Sequence, residues 1–551
     1  MGRPCGIPAG VYHHTPRGDR NDTIGKGGSM KKGIAISAIA LLLGVTAIIS
    51  CSSSSGTSSS STGTKSFPKG FLWGASTAAE QSEGGITNND WYIWEQMGNT
   101  PPVGLADNFY NLYAQDFTNA QAMHLNAFRL TFEWSRIEPN PPAVIGMPLT
   151  AGDVVTSEVQ HYKDVIASLE AHGLTPVVTL VHWTVPQWVD DPANIKANNY
   201  TQSTTSLAGW INTLTAYAFA SYAAFMAQQF STTVKYWITE NEPLPDTLSG
   251  YIMGVFPPGF NNLSDLTATT MPNGASVVTV VKNMIMGHAL AYHAIHAIEP
   301  NAMVSIAANS IFSSAIPGNA ASAAAAKAFD HAYNLTYLDA ATTGIFDNGL
   351  TGTTNTTYYP EWANTLDYIG VNYYNNDYVV PAPAGFLKPI NALPCDSTIG
   401  AFIPLSSIGC PAQNPPETQG LTGILVEYAQ RYHLPMLITE NGYGDADPVG
   451  KAKYIVQNIQ AVKNAINQGA DMLGYMYWTM DYDYEWTSGY AQNFGLFYVD
   501  NFTSCTTPKC GLIPTTTTDF TRTPVQPAVD VFSAIAAAND ITPTIMNQYG
   551  Q

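Results

Sequence analysis

The stretch PVVTLVHW, residues 176–183, sets Val177, Val178, Leu180 and Val181 in one short run and turns polar at His182. Apolar side chains without strict alternation suit a strand buried on both faces, the condition of a parallel sheet covered by helices. Two other runs end in a similar way. VKYWIT (234–239) leads into Glu240-Asn241-Glu242-Pro243, and PMLIT (435–439) leads into Glu440-Asn441-Gly442. Comparable apolar segments fall at 71–75, 127–132, 303–307, 366–371 and 473–478, which makes eight strand candidates. Helical stripes lie between them. Tyr162, Val165, Ile166 and Leu169 recur at i, i+3, i+4 and i+7 ahead of Gly173, and Ile455, Ile459, Val462 and Ile466 line one face ahead of Gly469. Eight strands separated by helices predict an α/β fold, a single (β/α)8 TIM barrel over residues 66–545. Segments 142–156, 243–274 and 380–420 are rich in Pro, Gly and Asn and read as loops; no linker or internal repeat divides the chain after residue 66.

In such barrels the chemistry sits at the C-terminal ends of the strands. Glu242 and Glu440 stand there, as do His182 and Trp183. Arg129 lies within the second strand, Asn372-Tyr373-Tyr374 close the sixth, and Trp478 lies at the exit of the eighth. Two facing carboxyls suit glycoside hydrolysis, because one must donate a proton while the other stays ionised. Trp and Tyr offer flat apolar faces to sugar C–H bonds, and His, Asn and Glu bond hydroxyls. Adjacent strand residues point to opposite faces, so either Tyr373 or Tyr374 faces inward.

Charge narrows the partners. The chain has 551 residues, 22 Lys+Arg against 41 Asp+Glu, and a formal net charge of −19. That balance offers nucleic acid no basic footprint and repels polyanions, which leaves a neutral substrate as the best fit. Charged residues are only 11% of the chain and apolar residues 45%, so a large packed interior is within reach.

The N-terminal part reads as addressing, not fold. Met30-Lys31-Lys32, an apolar run from Ile34 to Ile49, and Ser50-Cys51 form a signal-peptide pattern over 30–50. The sequence IISC resembles a bacterial lipobox, which implies lipidation at Cys51 and membrane attachment through it. Residues 51–65 are then a Ser-rich tether, and the protein is expected to be an exported lipoprotein of the outer membrane, periplasm or cell surface. Residues 1–29 read as a mis-assigned upstream leader, with translation starting at Met30. The other reading of the apolar run is a spanning anchor. Cys395 and Cys410 share one Pro-rich loop, and Cys505 and Cys510 another. None has C-x-x-C spacing, so no metal site is expected; local disulfides 395–410 and 505–510 are favoured among three possible pairings.

Taken together, these motifs resemble glycoside hydrolase family 1, the β-glucosidase family. The likeness runs from FPKGFLWGASTAAEQSEGG near residue 67 to FGLFYVD ending at Asp500. FRLTFEWSRIEP, VTLVHWTVPQWV and ITENEP are similar to the second-, third- and fourth-strand motifs, and YIGVNYY, LITENGYGD and GYMYWTMDYDYEW to the sixth, seventh and eighth. Only the fifth strand lacks a matching motif. The resemblance implies a retaining β-glycosidase, most simply a β-glucosidase, with Glu242 as acid/base, Glu440 as nucleophile, and no cofactor. Arg129 and Tyr374 would hold Glu440, and Asn241 would bond the sugar 2-hydroxyl. Gln81, His182, Trp183, Asn372, Glu485 and Trp486 would bind the rest of the sugar, with Trp478 as its floor and Phe494 as a wall. An ionised Glu485 would repel a 6-phosphate.

The chain departs from the family at Glu240, where an apolar residue is usual and strand alternation is expected to point the extra carboxyl away. Thr184 replaces an Asp, and Asp481 and Asp483 shift the usual Asp-Asn order behind Trp478. Asn493 stands where a basic residue is common. Two other functions use the same scaffold: a transglycosylase, which passes the sugar to an alcohol, and an inactive carbohydrate-binding lipoprotein, whose signature would be a missing carboxylate.

Overall fold

The computed structural model describes residues 66–500 and 520–550, apart from 272–273, 353–354 and 401. The leader, signal and tether readings over 1–65, Cys51 among them, and the Cys505–Cys510 pairing lie outside the described residues.

Eight strands close a barrel: β1 Leu72–Ser76, β2 Ala127–Thr131, β3 Thr175–Val181, β4 Tyr236–Asn241, β5 Met303–Ser314, β6 Ile369–Pro381, β7 Met436–Glu440 and β8 Met472–Trp478. Each pairs in parallel with its sequence neighbour; β1 pairs with β8, and the β6–β7 pairing closes the ring. Helices such as Thr156–Ala171, Leu214–Phe230 and Val277–Ile298 cover the outside. The barrel floor holds a small apolar cluster of Leu72, Ala127, Val177, Ile238, Ala307, Tyr368, Leu437 and Met476, drawn from every strand or its edge. The alternate side chains, such as Phe128, Val178, Trp237 and Ile438, join the larger core under the helices.

Two register shifts decide which way the polar strand ends point. β4 shifts against β5 between Ile238 and Asn241, and β7 against β6 between Ile438 and Glu440. Strict alternation would have put Glu240 on the same face as Glu242. Instead Thr239 and Glu240 both turn outward, Thr239 bonding His288 and Glu240 accepting from the Tyr337 hydroxyl at 2.7 Å. The expected direction of Glu240 is observed, but the cause is a bulge and not alternation.

The loop reading of 243–274 is corrected at its start. Pro243–Thr247 is α-helical and Leu248–Ile252 π-helical; Pro243 takes the first helical position, where its missing N–H removes no bond. The 380–420 segment also contains order. β5 and β6 run on past the barrel, pairing Ile311–Ser314 with Asn375–Tyr378, and Ala392–Pro394 adds to the tail of β6 in antiparallel sense. Cys395 follows at once and is disulfide-bonded to Cys410. Among the described residues no helix is long and apolar enough to cross a membrane.

Many carboxyls are buried, among them Glu80, Glu83, Asp90, Glu133, Glu138, Asp190 and Asp246. Burial raises each of them, Glu83 to about 7 and Glu138 and Asp190 to about 8. Another cluster is answered by a cation. Arg522, on the short strand Thr521–Pro524, bonds Asp116 through Nε at 2.8 Å and Nη2 at 3.0 Å, and lies 3.8 Å from Asp481. Both Arg522 and Asp116 are sealed from solvent. This pair ties the C-terminal segment to the helix Phe109–Ala122 and to the exit of β8. Removing one partner of a sealed pair leaves an uncompensated charge, so Arg522→Ala is expected to lower unfolding free energy by about 3–5 kcal/mol. Urea unfolding checks this; adding Asp116→Ala should recover part of the loss.

Candidate active site

At the C-terminal rim of the barrel, strand ends and loops enclose a pocket of about 330 Å³. Glu242, Glu440, Gln81, His182, Trp183, Asn241, Tyr374, Trp478, Glu485, Trp486 and Phe494 all line it. Arg129 and Asn372 lie beneath, fully buried. Asn309 and Gln492 also line the pocket and were not singled out in the sequence. A larger groove, about 620 Å³, lies elsewhere, but its acids Asp339 and Asp347 are paired to Arg431 and His331.

Arg129 organises the floor. It points inward from β2, two residues after Ala127, and its Nη1 donates to Glu440 Oε1 at 2.5 Å and to the Thr439 carbonyl at 3.0 Å. Its Nη2 donates to Asn241 Oδ1 at 2.7 Å and its Nε to Thr179 Oγ1 at 3.0 Å. Of the two tyrosines, Tyr374 faces in, donating to Glu440 Oε2 at 2.9 Å; Tyr373 packs in the outer core. Glu440 therefore accepts from a cation on one oxygen and a hydroxyl on the other. Burial raises its carboxyl, and the Arg129 guanidinium opposes that rise.

Glu242 has a different setting. No cation bonds it; its Oε1 accepts from Asn372 Nδ2 at 2.8 Å and Asn309 Nδ2 at 2.9 Å. Burial, with the charge of Glu440 next, pushes it up to about 8. The site thus holds two carboxyls in opposed settings: the Arg129 guanidinium favours the anion of Glu440, while burial and the neighbouring charge favour the protonated form of Glu242. Glu242 also occupies the left-handed region at φ 47°, as do Trp183 at φ 68° and Trp486 at φ 50°. A non-glycine there costs about 1–3 kcal/mol and persists where surroundings over-determine it.

The sugar-facing groups leave polar atoms open. Asn241 Oδ1 is taken by Arg129 and Asn372, so its Nδ2 faces His182 Nε2 at 3.0 Å. His182 must accept there, which places its proton on Nδ1. Burial and the Arg129 charge hold its pKa far below the usual value, so it is neutral. His182 Nδ1, Trp183 Nε1 and Gln81 Oε1 are buried and have no partner among the described residues. Such unmet atoms suit a ligand rich in hydroxyls. The His182 ring stacks with those of Trp478 and Trp486, at centroid distances of 5.7 and 6.0 Å. Trp478 Nε1 donates to Glu485 Oε1 at 3.0 Å. Gly442 allows the exits of β7 and β8 to meet, since a Cβ there would overlap the Trp478 carbonyl and press on Phe494.

One sequence inference changes. Glu485 is not a plain anion: burial raises it to about 8, and its carboxyl adjoins that of Asp483. Thr184 bonds Glu133 at 3.0 Å, so the missing Asp does not leave the third-strand exit unsupported. Lys451 gave no signal in the sequence, since a Lys on a helix reads as a surface cation. It is fully buried, and its Nζ donates to the carbonyls of Asn493, Phe494 and Gly495, fixing the segment that carries Phe494. Asn309 did carry a signal: it is a polar residue two positions past the inward Ala307. Among the described residues no three His, Cys, Asp or Glu side chains form a group able to hold a metal ion.

The family model described as Glycosyl hydrolase family 1 matches residues 63–510. The β-galactosidase of Saccharolobus solfataricus is 31% identical over 472 residues, 79% of this chain and 91% of that protein. Beta-glucosidase 14 of Arabidopsis thaliana is 28% identical over 470 residues, 79% of this chain and 88% of that protein. The β-glycosidase from Pyrococcus horikoshii matches the fold with a TM-score of 0.66 at 26% identity, covering 88% of this chain and 98% of that one.

These settings predict a bell-shaped pH dependence of kcat/KM on an aryl β-glycoside. An acid that must be protonated is lost as pH rises, so the alkaline limb is expected near the Glu242 value of about 8. Arg129→Met removes the cation that favours the Glu440 anion. The acid limb should then move to higher pH by about one unit or more, narrowing the bell from the acid side.

Proposed function

The chain belongs to glycosyl hydrolase family 1 and is a glycoside hydrolase, and from that premise we propose that it is an exported retaining β-glycosidase that takes terminal non-reducing β-glucosides. The observation that carries the reading is the unequal treatment of two carboxyls in one pocket. Glu440 meets Arg129 and Tyr374, while Glu242 meets only amides. Glu440 attacks the anomeric carbon as the glycosidic C–O bond breaks, and Glu242 delivers its proton to the departing oxygen. The glycosyl ester formed on Glu440 is then opened by water, whose proton returns to Glu242. Two inversions leave the β configuration unchanged.

The surrounding groups take supporting parts in this reading. Asn241, oriented by Arg129, bonds the 2-hydroxyl. His182, Trp183, Gln81 and Glu485 bond the other hydroxyls through the atoms the protein leaves open, and Trp478, Trp486 and Phe494 give the ring its apolar contacts. A neutral sugar is favoured for a different reason than charge on Glu485. Lys451, which holds the segment carrying Phe494, has all three of its bonds committed to backbone carbonyls, so it has none to offer a phosphate. Export and membrane attachment rest on the signal pattern and Cys51, as proposed from the sequence.

The roles are tested by proton NMR and by substitution. Early hydrolysis should release the β anomer; the α anomer first would refute a retaining site. Glu440→Ala should abolish turnover and azide should restore it as an α-glycosyl azide. Glu242→Ala should cost about 10²-fold or more on phenyl glycosides and far less on 2,4-dinitrophenyl glycosides, whose leaving group needs no proton. Equal losses would remove Glu242 from the acid role. For location, Cys51→Ala should release the protein from the membrane fraction; unchanged fractionation would favour a spanning anchor.

A further inference from the structure

Asn309 and Tyr333 belong to neither the motifs nor the roles above, yet both converge on Glu242. Asn309 comes from β5, the one strand without a family motif, and Tyr333 from the π-helical turn His331–Leu335. We propose that Asn309, oriented by Tyr333, acts with Asn372 to fix the transferable proton of Glu242 on Oε2. This rests on the reading of Glu242 as the acid.

The argument is one of donors and acceptors. Asn309 Nδ2 and Asn372 Nδ2 both donate to the same oxygen, Oε1, at 2.9 and 2.8 Å. Amide N–H groups cannot accept, so a hydroxyl on Oε1 would face two donors with nothing to bond. The protonated carboxyl must therefore carry its hydrogen on Oε2, for which no bond exists among the described residues. Neither amide is free to turn over. The Tyr333 hydroxyl donates to Asn309 Oδ1 at 2.9 Å, and the Thr439 hydroxyl donates to Asn372 Oδ1 at 2.6 Å. Flipping Asn372 would set its oxygen against Asn241 Oδ1, which Arg129 holds as an acceptor, and flipping either amide would set its oxygen against Oε1. The main chain that carries the carboxyl is anchored, because Glu242 N–H donates to the Ala307 carbonyl at 2.8 Å.

Fixing the proton assists both half-reactions. In the first, the O–H bond at Oε2 breaks as the leaving oxygen gains the proton and the electrons of the glycosidic bond. The carboxylate charge left behind is met at Oε1 by the same two N–H groups. In the second, Oε2 takes a proton from the attacking water while the ester bond to Glu440 breaks. Without the pair of amides, the proton would divide its time between two oxygens, only one of which serves the leaving group.

The test compares kcat/KM on phenyl and 2,4-dinitrophenyl β-glucoside for Asn309→Leu, Tyr333→Phe and Glu242→Ala in the full chain. Asn309→Leu and Tyr333→Phe should each lose about tenfold on the phenyl substrate and stay within about threefold of the parent on the dinitrophenyl one, a partial copy of the Glu242→Ala pattern. Tyr333→Phe removes a single hydroxyl, so it keeps the test open should Asn309→Leu misfold. Equal losses on both substrates would mean structural damage alone, and unchanged phenyl activity would mean the proton needs no such guidance; either overturns the proposal. If Glu242→Ala itself spares both substrates alike, the acid assignment fails first and takes this inference with it.

Discussion

A guanidinium sealed from water must be answered on every side, and Arg129 is answered by groups from three other strands: Thr179 on β3, Asn241 on β4, and Thr439 and Glu440 on β7. Each bond constrains the register of the strand that supplies it. The cost of burying the cation is large, and it is offset only while Glu440 remains an anion in place. The nucleophile's charge and the closure of the barrel mouth are thus held by one side chain. The shifts in β4 and β7 fit this constraint. They turn Asn241 inward and Glu240 outward, giving the cation an amide oxygen to bond and keeping a further carboxyl out of its shell.

Most of this was legible in the sequence because barrel strands announce themselves. Runs such as VVTLV and MLI need burial on both faces, and polar residues following them can only gather at the rim. Alternation alone leaves Tyr373 and Tyr374 open; the inward Asn372, two residues before Tyr374 on β6, decides between them in the structure. What stayed hidden depended on contacts between segments far apart in the chain. Asn309 lies in AANS, two positions past the inward Ala307, so its direction follows from alternation; its bond to Glu242 does not, because it depends on Tyr333, 24 residues on, folding over it. Lys451 reads as a solvated helix residue and is instead spent on three carbonyls. The turn of helix after Glu242 begins with Pro-Leu-Pro, which suggests a loop to any rule that counts prolines without asking which position they take.

The departures from the family pattern find local partners. Thr184 bonds Glu133, Glu240 bonds Tyr337, and Asp481 sits beside Arg522. Asp483 is different: it places a second carboxyl against Glu485, and two such groups in a dry setting share protons more readily than they ionise together. The floor of the sugar pocket is therefore closer to neutral than its composition implies. The groups left to greet a sugar are an uncharged imidazole, two indoles, an amide oxygen and a carboxyl that can donate as well as accept.

The buried carboxyls also change what the molecule is in solution. A formal charge of −19 counts every acid as ionised, which holds for the denatured chain at neutrality. Folding carries Glu83, Glu138, Asp190, Glu242 and Glu485 toward 7 or 8, so the native state binds protons that the unfolded state has released. Where the native state binds more protons, stability declines as pH rises. The contribution is whole below about 4, the ordinary carboxyl range, and is eroded as pH climbs through 7 and 8. Renaturation in a weakly buffered medium will turn that medium alkaline, and the folded protein will migrate in an electric field as a less acidic particle than its own unfolded chain.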